Sequence, residues 1–369
     1  MLYHFLVPLT DYFTPFNIFK YITFRSSMAA ISALTISFVL GPWVISKLKA
    51  LSIGETIRET GPGTHAVKAG TPTMGGVLII LSILIPTLLL ADLSNIYIQL
   101  LILTTVWMGI IGFIDDYLKS IKKRKEGLIA RYKIAGQVSL GLVLGVIIIL
   151  HPDLQQFKMQ TTLPFFKNYY LNFHEWWIYI PFVIFVITAT SNSVNLTDGL
   201  DGLASGLMAI AAAVFVFIAY VSGRADFSNY LGIFFLPGSG ELAIFISAII
   251  GAVVGFLWFN ARPAEIFMGD TGSLTLGAIL GAITILLKKE FLLPFAGGVF
   301  IMESISVILQ VQYFQYTKKK SGTGKRIFKM APLHHHFELK GWDENKIVIR
   351  FWIIGIMFAL LTLTTFKIR

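Results

Sequence analysis

Apolar residues fall along this chain in runs of about 17–25, separated by short polar segments, and a run of that length lets a helix cross the hydrocarbon core of a bilayer. The runs predict ten membrane helices, near residues 21–46, 74–91, 97–115, 131–150, 176–191, 200–221, 242–259, 273–287, 294–316 and 347–366. Residues 1–20 contain Pro8 and Pro15 and lack a basic n-region, so they suit an interfacial segment better than a cleaved signal peptide. The longest loop on the side of the termini, 151–175, has Pro152 and Pro164 among aromatics and room for a small hairpin. The expected fold class is an all-α polytopic membrane protein, with residues 1–369 forming one integral membrane domain.

Ten helices return the chain to the side where it began. The loops after odd-numbered helices carry roughly twice the lysine and arginine of the opposite side, both tails included. The positive-inside rule therefore expects those loops in the cytoplasm and both termini outside. The formal net charge of +10 then reads as topology, with no nucleic-acid partner implied. The chain has no cysteine, which excludes disulfides, thiolate nucleophiles and zinc–thiolate sites.

Nearly all the acidic and histidine chemistry lies in polar segments on the cytoplasmic side, near 47–73, 115–133, 192–202, 258–273 and 318–345. Carboxylates at a membrane edge are costly to keep there. Asp115 and Asp116, in GFIDDYLKS, end the third predicted helix. Neighbouring side chains on a helix point about 100° apart, so at most one of the two faces a given ligand directly. Paired acids suit Mg²⁺, a hard cation that takes oxygen ligands and phosphates, and one of them could instead serve as a base. Asp198 and Asp201, in NSVNLTDGLDG, are three apart where the sixth helix is expected, a spacing that shares one helical face. Capping accounts for one of them but less well for both together with Asn192 and Asn195.

Asp270 lies in MGDTGS, where Gly269, Gly272, Thr271 and Ser273 resemble an anion site at a helix start. Asn260 is a neutral oxygen donor nearby, and Phe267 is either core or a stacking surface for a flat base. His334, His335 and His336 are consecutive. They cannot all face one metal from a regular helix, which favours hydrogen bonding to phosphate over a tri-histidine zinc site. Lys68, Lys119, Lys123, Arg131 and Lys133 are candidate phosphate or headgroup contacts, although topology alone explains most such cations. Lys68 is set apart by KAGTPTMGG, which leads into a helix start with Thr71, Thr73, Gly75 and Gly76.

KAGTPTMGG, GFIDDY, NLTDGLDG, FMGDTGS and APLHHHFELKGW together resemble the polyprenyl-phosphate N-acetylhexosamine-1-phosphate transferase superfamily. The likeness runs nearly end to end, and APLHHHFELKGW points to its muramoyl-pentapeptide branch. Ser193 departs from the alanine frequent there. The resemblance implies transfer of phospho-N-acetylmuramoyl-pentapeptide from its UDP carrier, UDP-N-acetylmuramoyl-pentapeptide, to undecaprenyl phosphate, with Mg²⁺, giving lipid I and UMP. It implies a multi-pass protein of the bacterial cytoplasmic membrane, facing the cytoplasm, with a homodimer as the candidate assembly. It assigns Asp270 to Mg²⁺ with Asp115 and Asp116 beside it, and makes Asp115 the candidate base and His334 a catalytic residue. Direct attack and an aspartyl-phosphate intermediate both stay open. Lys68, Thr73, Asp201, Asn260, Phe267 and Gln310 fall on the nucleoside side. Asn192, Asn195 and Asp198 line the centre. Lys119, Lys123 and Lys133 bind substrate phosphate, and His335 and His336 face phosphate or sugar. A sister transferase using another UDP-sugar is the nearest alternative. A transporter, whose acids belong near the bilayer midplane, is the more distant one.

Overall fold

The computed structural model describes residues 1–51, 70–124, 126–166 and 169–366. The chain is an all-α polytopic membrane protein. After the short α1 (Leu2–Leu6), long helices follow as α2 (Ile22–Ala50), α3 (Gly76–Leu90), α4 (Ile96–Ser120), α5 (Ala130–Leu150), α6 (Trp176–Thr197) and α7 (Leu203–Ser222). Short α8 (Ala225–Leu231) precedes α9 (Glu241–Asn260) and α10 (Gly269–Leu286). Then come α11 (Leu293–Ala296), α12 (Gly298–Ser321), α13 (Leu333–Glu338) and α14 (Glu344–Thr364). Among the described residues, eight helices are long and apolar enough to span a membrane, and α11 with α12 makes a ninth, broken candidate. The 15-residue α3 is shorter, at about 22 Å. The 151–175 loop does hold a hairpin, in which β1 (Gln160–Thr162) pairs antiparallel with β2 (Tyr170–Asn172).

The centre of the bundle is α10. It packs between α4 and α6, with α3 also against it, while α9 fills the space between α2 and α7. Every residue of α10 from Thr271 to Leu286 is buried. That matches a helix apolar on all sides, which belongs in an interior. Close approach at its N-terminal end depends on two glycines. A Cβ on Gly76 of α3 would stand 2.0 Å from the Gly272 nitrogen, and one on Gly112 of α4 would stand 2.4 Å from the Asp270 carbonyl oxygen. Small residues let helix backbones meet where apolar lipid gives no drive toward association.

Two expectations need correction. The run at 294–316 is not one straight span, because α11 and α12 meet at an 89° bend. The break falls at Gly297–Gly298, where glycine's missing Cβ removes the helical bias. A side chain at 298 would also meet the Phe358 ring at 2.8 Å. Second, Asp198 and Asp201 do not share a helical face. The segment 198–202 is a turn between α6 and α7, with Gly202 at φ 79°, a left-handed conformation that interrupts a helix.

Candidate active site

The site is built where α4, α5 and α10 converge. Asp115 and Asp116 lie in the last turns of α4, Lys133 in the first turn of α5, and Asp270 in the first turn of α10. Asp115 and Asp116 diverge as their spacing requires, yet both are used. Asp116 turns to the start of α10. One of its oxygens accepts from the Asp270 N–H at 3.0 Å, and the other accepts from the Thr271 N–H at 2.8 Å and hydroxyl at 2.6 Å. The anion site read from MGDTGS therefore exists, and the chain fills it with its own carboxylate. The free N–H groups and positive dipole end of α10 are satisfied by that charge.

Asp115 turns to two lysines. Lys119 Nζ stands 2.5 Å from Asp115 and 3.1 Å from Asp270, and Lys133 Nζ 2.9 Å from Asp115 and 2.5 Å from Asp270. Each ammonium thus bridges the same two carboxylates. The backbone N–H of Leu128 adds a hydrogen bond to Asp115 at 2.7 Å, bringing the 121–129 loop over the cluster. The other oxygen of Asp270 accepts from the Asn195 amide at 2.9 Å, and that amide also donates to Ser273 at 2.8 Å.

Asp115, Asp116 and Asp270 each offer an oxygen within 4.8 Å of the others, a geometry that could hold a metal ion. The donors are all hard carboxylate oxygens, suited to a divalent cation of the same character. Three carboxylates against two ammonium groups leave the cluster one negative charge in excess, which is a further fit to a cation.

The remaining candidates have surroundings of their own. Thr73 is hydrogen-bonded to Ser120 of α4 at 2.9 Å, and Asn192 donates to Gln137 of α5 at 2.9 Å. Asp198 caps the end of α6. Asp201 is buried and accepts from the Ala264 N–H at 3.3 Å. Asn260 is spent on the fold: its oxygen accepts from the Gly202 N–H and the Ser205 hydroxyl, and its amide donates to the Ile266 carbonyl. Phe267 is half-buried, with its backbone clasped to the 72–75 strand of chain from both sides. Gln310 gives its oxygen to the Ile327 and Phe328 N–H groups and its amide to the Phe328 carbonyl. Lys123 and Arg131 are exposed, and Lys68 lies outside the described residues.

The three histidines have three different surroundings. His334 is fully enclosed, with Nδ1 3.2 Å from Glu303 of α12. His335 meets Glu338 at 2.7 Å. His336 accepts from the Lys329 N–H at 3.0 Å. Burial, together with the Lys340 and Lys329 charges, holds the His336 imidazole below its ordinary pKa, in keeping with that acceptor role. Gln137 and Glu303 were not singled out in the sequence. Their signal was available: Glu303 is the one charged residue in the run 290–317 after Glu290, and Gln137 is an amide set among apolar residues.

Comparison with known proteins bears on this arrangement. The model of glycosyl transferase family 4 matches residues 98–288, which include every member of the carboxylate–lysine cluster. Signature 1 of the phospho-N-acetylmuramoyl-pentapeptide-transferases matches residues 68–80. Among similar curated proteins are phospho-N-acetylmuramoyl-pentapeptide-transferases of Desulfatibacillum aliphaticivorans (53% identical), Gemmatimonas aurantiaca (52%) and Flavobacterium psychrophilum (49%), each aligned over 100% of both chains.

Proposed function

The chain belongs to the phospho-N-acetylmuramoyl-pentapeptide-transferase family, and from that premise we propose that the carboxylate–lysine cluster at the start of α10 is its reaction centre. The enzyme moves phospho-N-acetylmuramoyl-pentapeptide from UDP to undecaprenyl phosphate, which yields lipid I and UMP. An oxygen of the lipid phosphate bonds to the sugar-side phosphorus of the diphosphate. The bond from that phosphorus to the bridging oxygen breaks, and its electron pair leaves on UMP.

The difficulty of this step is charge, because a phosphate must approach a diphosphate. The observation that carries the proposal is the pair of lysines bridging Asp115 and Asp270. Phosphate oxygens entering between them take over their hydrogen bonds, so Lys119 and Lys133 set positive charge where negative charge develops. The carboxylates thereby released, Asp115 and Asp270, are the direct ligands we assign to Mg²⁺, with Asp116 fastening the α10 turn that carries Asp270. When bound, the ion neutralises diphosphate charge and orients its oxygens. A lipid phosphate is mostly ionised near neutral pH, so the attack asks little of a base. Asp115 acts mainly by placing charge. Asn195 fixes the free oxygen of Asp270.

The half-buried Phe267 ring is assigned to the uracil face, and Asp201 to the wall of that pocket. His335 and His336 are assigned to the sugar-phosphate side. On the charge of the loops we assign these groups to the cytoplasmic face of the bacterial inner membrane, with both termini outside. A reporter fused after residue 369 and active only in the cytoplasm should stay silent; activity there would overturn this orientation.

Exchange of radiolabelled UMP into UDP-N-acetylmuramoyl-pentapeptide, with lipid I as co-substrate, tests the centre. Exchange should require Mg²⁺ and stop in EDTA. Undiminished exchange in chelator would refute the metal assignment. Parallel turnover of UDP-N-acetylglucosamine should be absent.

A further inference from the structure

We propose that Glu303 is a positioning residue for the transfer reaction, acting through His334 on the 198–202 turn. Glu303 and His334 come from different elements, α12 and α13, and both are 0% exposed. Glu303 Oε1 stands 3.2 Å from His334 Nδ1. Among the described residues, neither carboxylate oxygen of Glu303 and neither ring nitrogen of His334 makes a hydrogen bond, so the two groups face each other as charged neighbours. A buried carboxylate without a partner is strongly unfavourable, so this imidazole is what makes an acid tolerable at that position. The reverse also holds. A buried imidazole edge facing a carboxylate has its ring orientation set by that charge.

The opposite edge of the ring has a definite target. His334 Nε2 lies against Gly199, where a Cβ would stand 2.2 Å away. Gly199 belongs to the turn that holds Asp198 and Asp201 and follows α6, the helix whose Asn195 donates to Asp270. That turn is tied at its far end by the Asp201 N–H to Glu344 at 3.0 Å and the Gly202 N–H to Asn260 at 3.0 Å. The His334 ring, held beside Glu303, meets it at Gly199. The His335 ring packs on His334 at 4.2 Å between centroids, so orientation of the first imidazole passes also to the second. Fully enclosed as it is, His334 is assigned the placement of its neighbours.

The inference rests on the reaction centre proposed above, and the two fail differently. Glu303→Gln keeps the shape and an acceptor oxygen but loses the charge, and Glu303→Leu loses both. Losing a residue that orients a site group through a second side chain typically costs 10–100-fold. In purified enzyme, kcat should fall in the order wild type, Gln, Leu, with the Gln variant down about tenfold. Its melting temperature and its calorimetric affinity for UMP should stay near wild type. In the double variant with His334→Asn, the Gln change should cost little more than His334→Asn alone, because the two act as one unit. Wild-type kcat in Glu303→Gln would overturn the proposal. So would a lowered melting temperature with unchanged kcat, or independent, multiplying losses in the double variant. Failure of the reaction-centre reading is a separate result, namely turnover surviving in Asp270→Asn.

Discussion

Charged groups are buried at both ends of α10, and the two clusters are built on opposite plans. At the N-terminal end, like charges crowd together. Asp115, Asp116 and Asp270 converge, and the two lysines bridging them keep part of their side chains in the open, 35% for Lys119 and 20% for Lys133. At the C-terminal end, Lys288, Lys289 and Glu290 are covered by the β1–β2 hairpin. Lys288 donates to the Lys158 carbonyl and the Tyr179 hydroxyl, Lys289 to Thr162, and Thr161 to Glu290. A second sealed pair joins α2 to the start of α9, where Arg25 makes a two-pronged pair with Glu241 and reaches the Leu90 carbonyl, while the Asp92 N–H adds a hydrogen bond to the carboxylate. Burial alone does not separate function from architecture. What separates them is whether the partners can be exchanged. A sealed cluster keeps its partners within the fold. An open one holds its cations between like charges, where a phosphate or a metal ion can take a place.

The comparison breaks most visibly if the open end proves structural. Asp270→Asn should lower turnover roughly 10³-fold or more, since an amide neither carries charge nor replaces a carboxylate ligand. Its melting temperature in detergent should stay close to that of the wild type, because the amide can still accept from Asn195 or a lysine. Lost folding with retained specific activity would reverse the assignment.

The sealed end should behave in the opposite way. Arg25→Ala leaves Glu241 buried without its partner, a change that costs about 3–5 kcal/mol. Thermal unfolding should shift down strongly, with kcat of the folded fraction unchanged. Thr161→Val is milder. It removes one donor to the buried Glu290 carboxylate, worth about 1.5–3 kcal/mol for a hydrogen bond to a charged group. The same pattern, stability lost and kcat kept, should follow at smaller amplitude. If either variant lowered kcat of folded enzyme, coupling between the two ends of α10 would have to be considered.

These two plans were not equally legible in the sequence. The open end was, because Asp115, Asp116, Asp270 and the lysines fall in short polar segments whose sidedness follows from helix counting and loop charge. Eight of the ten apolar runs match helices long enough to span a membrane among the described residues, for the same reason: a span must be long, apolar and continuous. The exceptions were local. No hydrophobic pattern reports that Gly297–Gly298 turns a run through 89°, or that Gly202 keeps Asp198 and Asp201 off a helix. Backbone dihedrals decide both. Long-range pairs such as Arg25–Glu241 and Glu303–His334 were hidden for a different reason. A lone charge in an apolar run announces that it needs a partner, but one chain does not say which. The reading of MGDTGS as an anion site at a helix start could not show that Asp116, from another helix, was the anion bound there.

Phe267 gives the finest test, since it lies where the open cluster merges into the core. Its backbone is held on both sides, with its N–H to the Pro72 carbonyl and its carbonyl to the Gly75 N–H, each at 2.8 Å. Truncating the ring leaves that clasp intact, so Phe267→Ala isolates the ring's own contribution. A base stacked on an aromatic ring gains about 1–3 kcal/mol. The KM for the UDP-substrate should accordingly rise about tenfold, with a smaller fall in kcat. UMP binding by calorimetry should weaken in parallel, and the melting temperature should change little. A ring that serves as core gives the mirror image: a lower melting temperature, with UMP affinity and KM at wild-type values. That outcome would move Phe267 from the exchangeable end to the sealed architecture and require the uracil pocket to be sought on another face of the 258–273 segment.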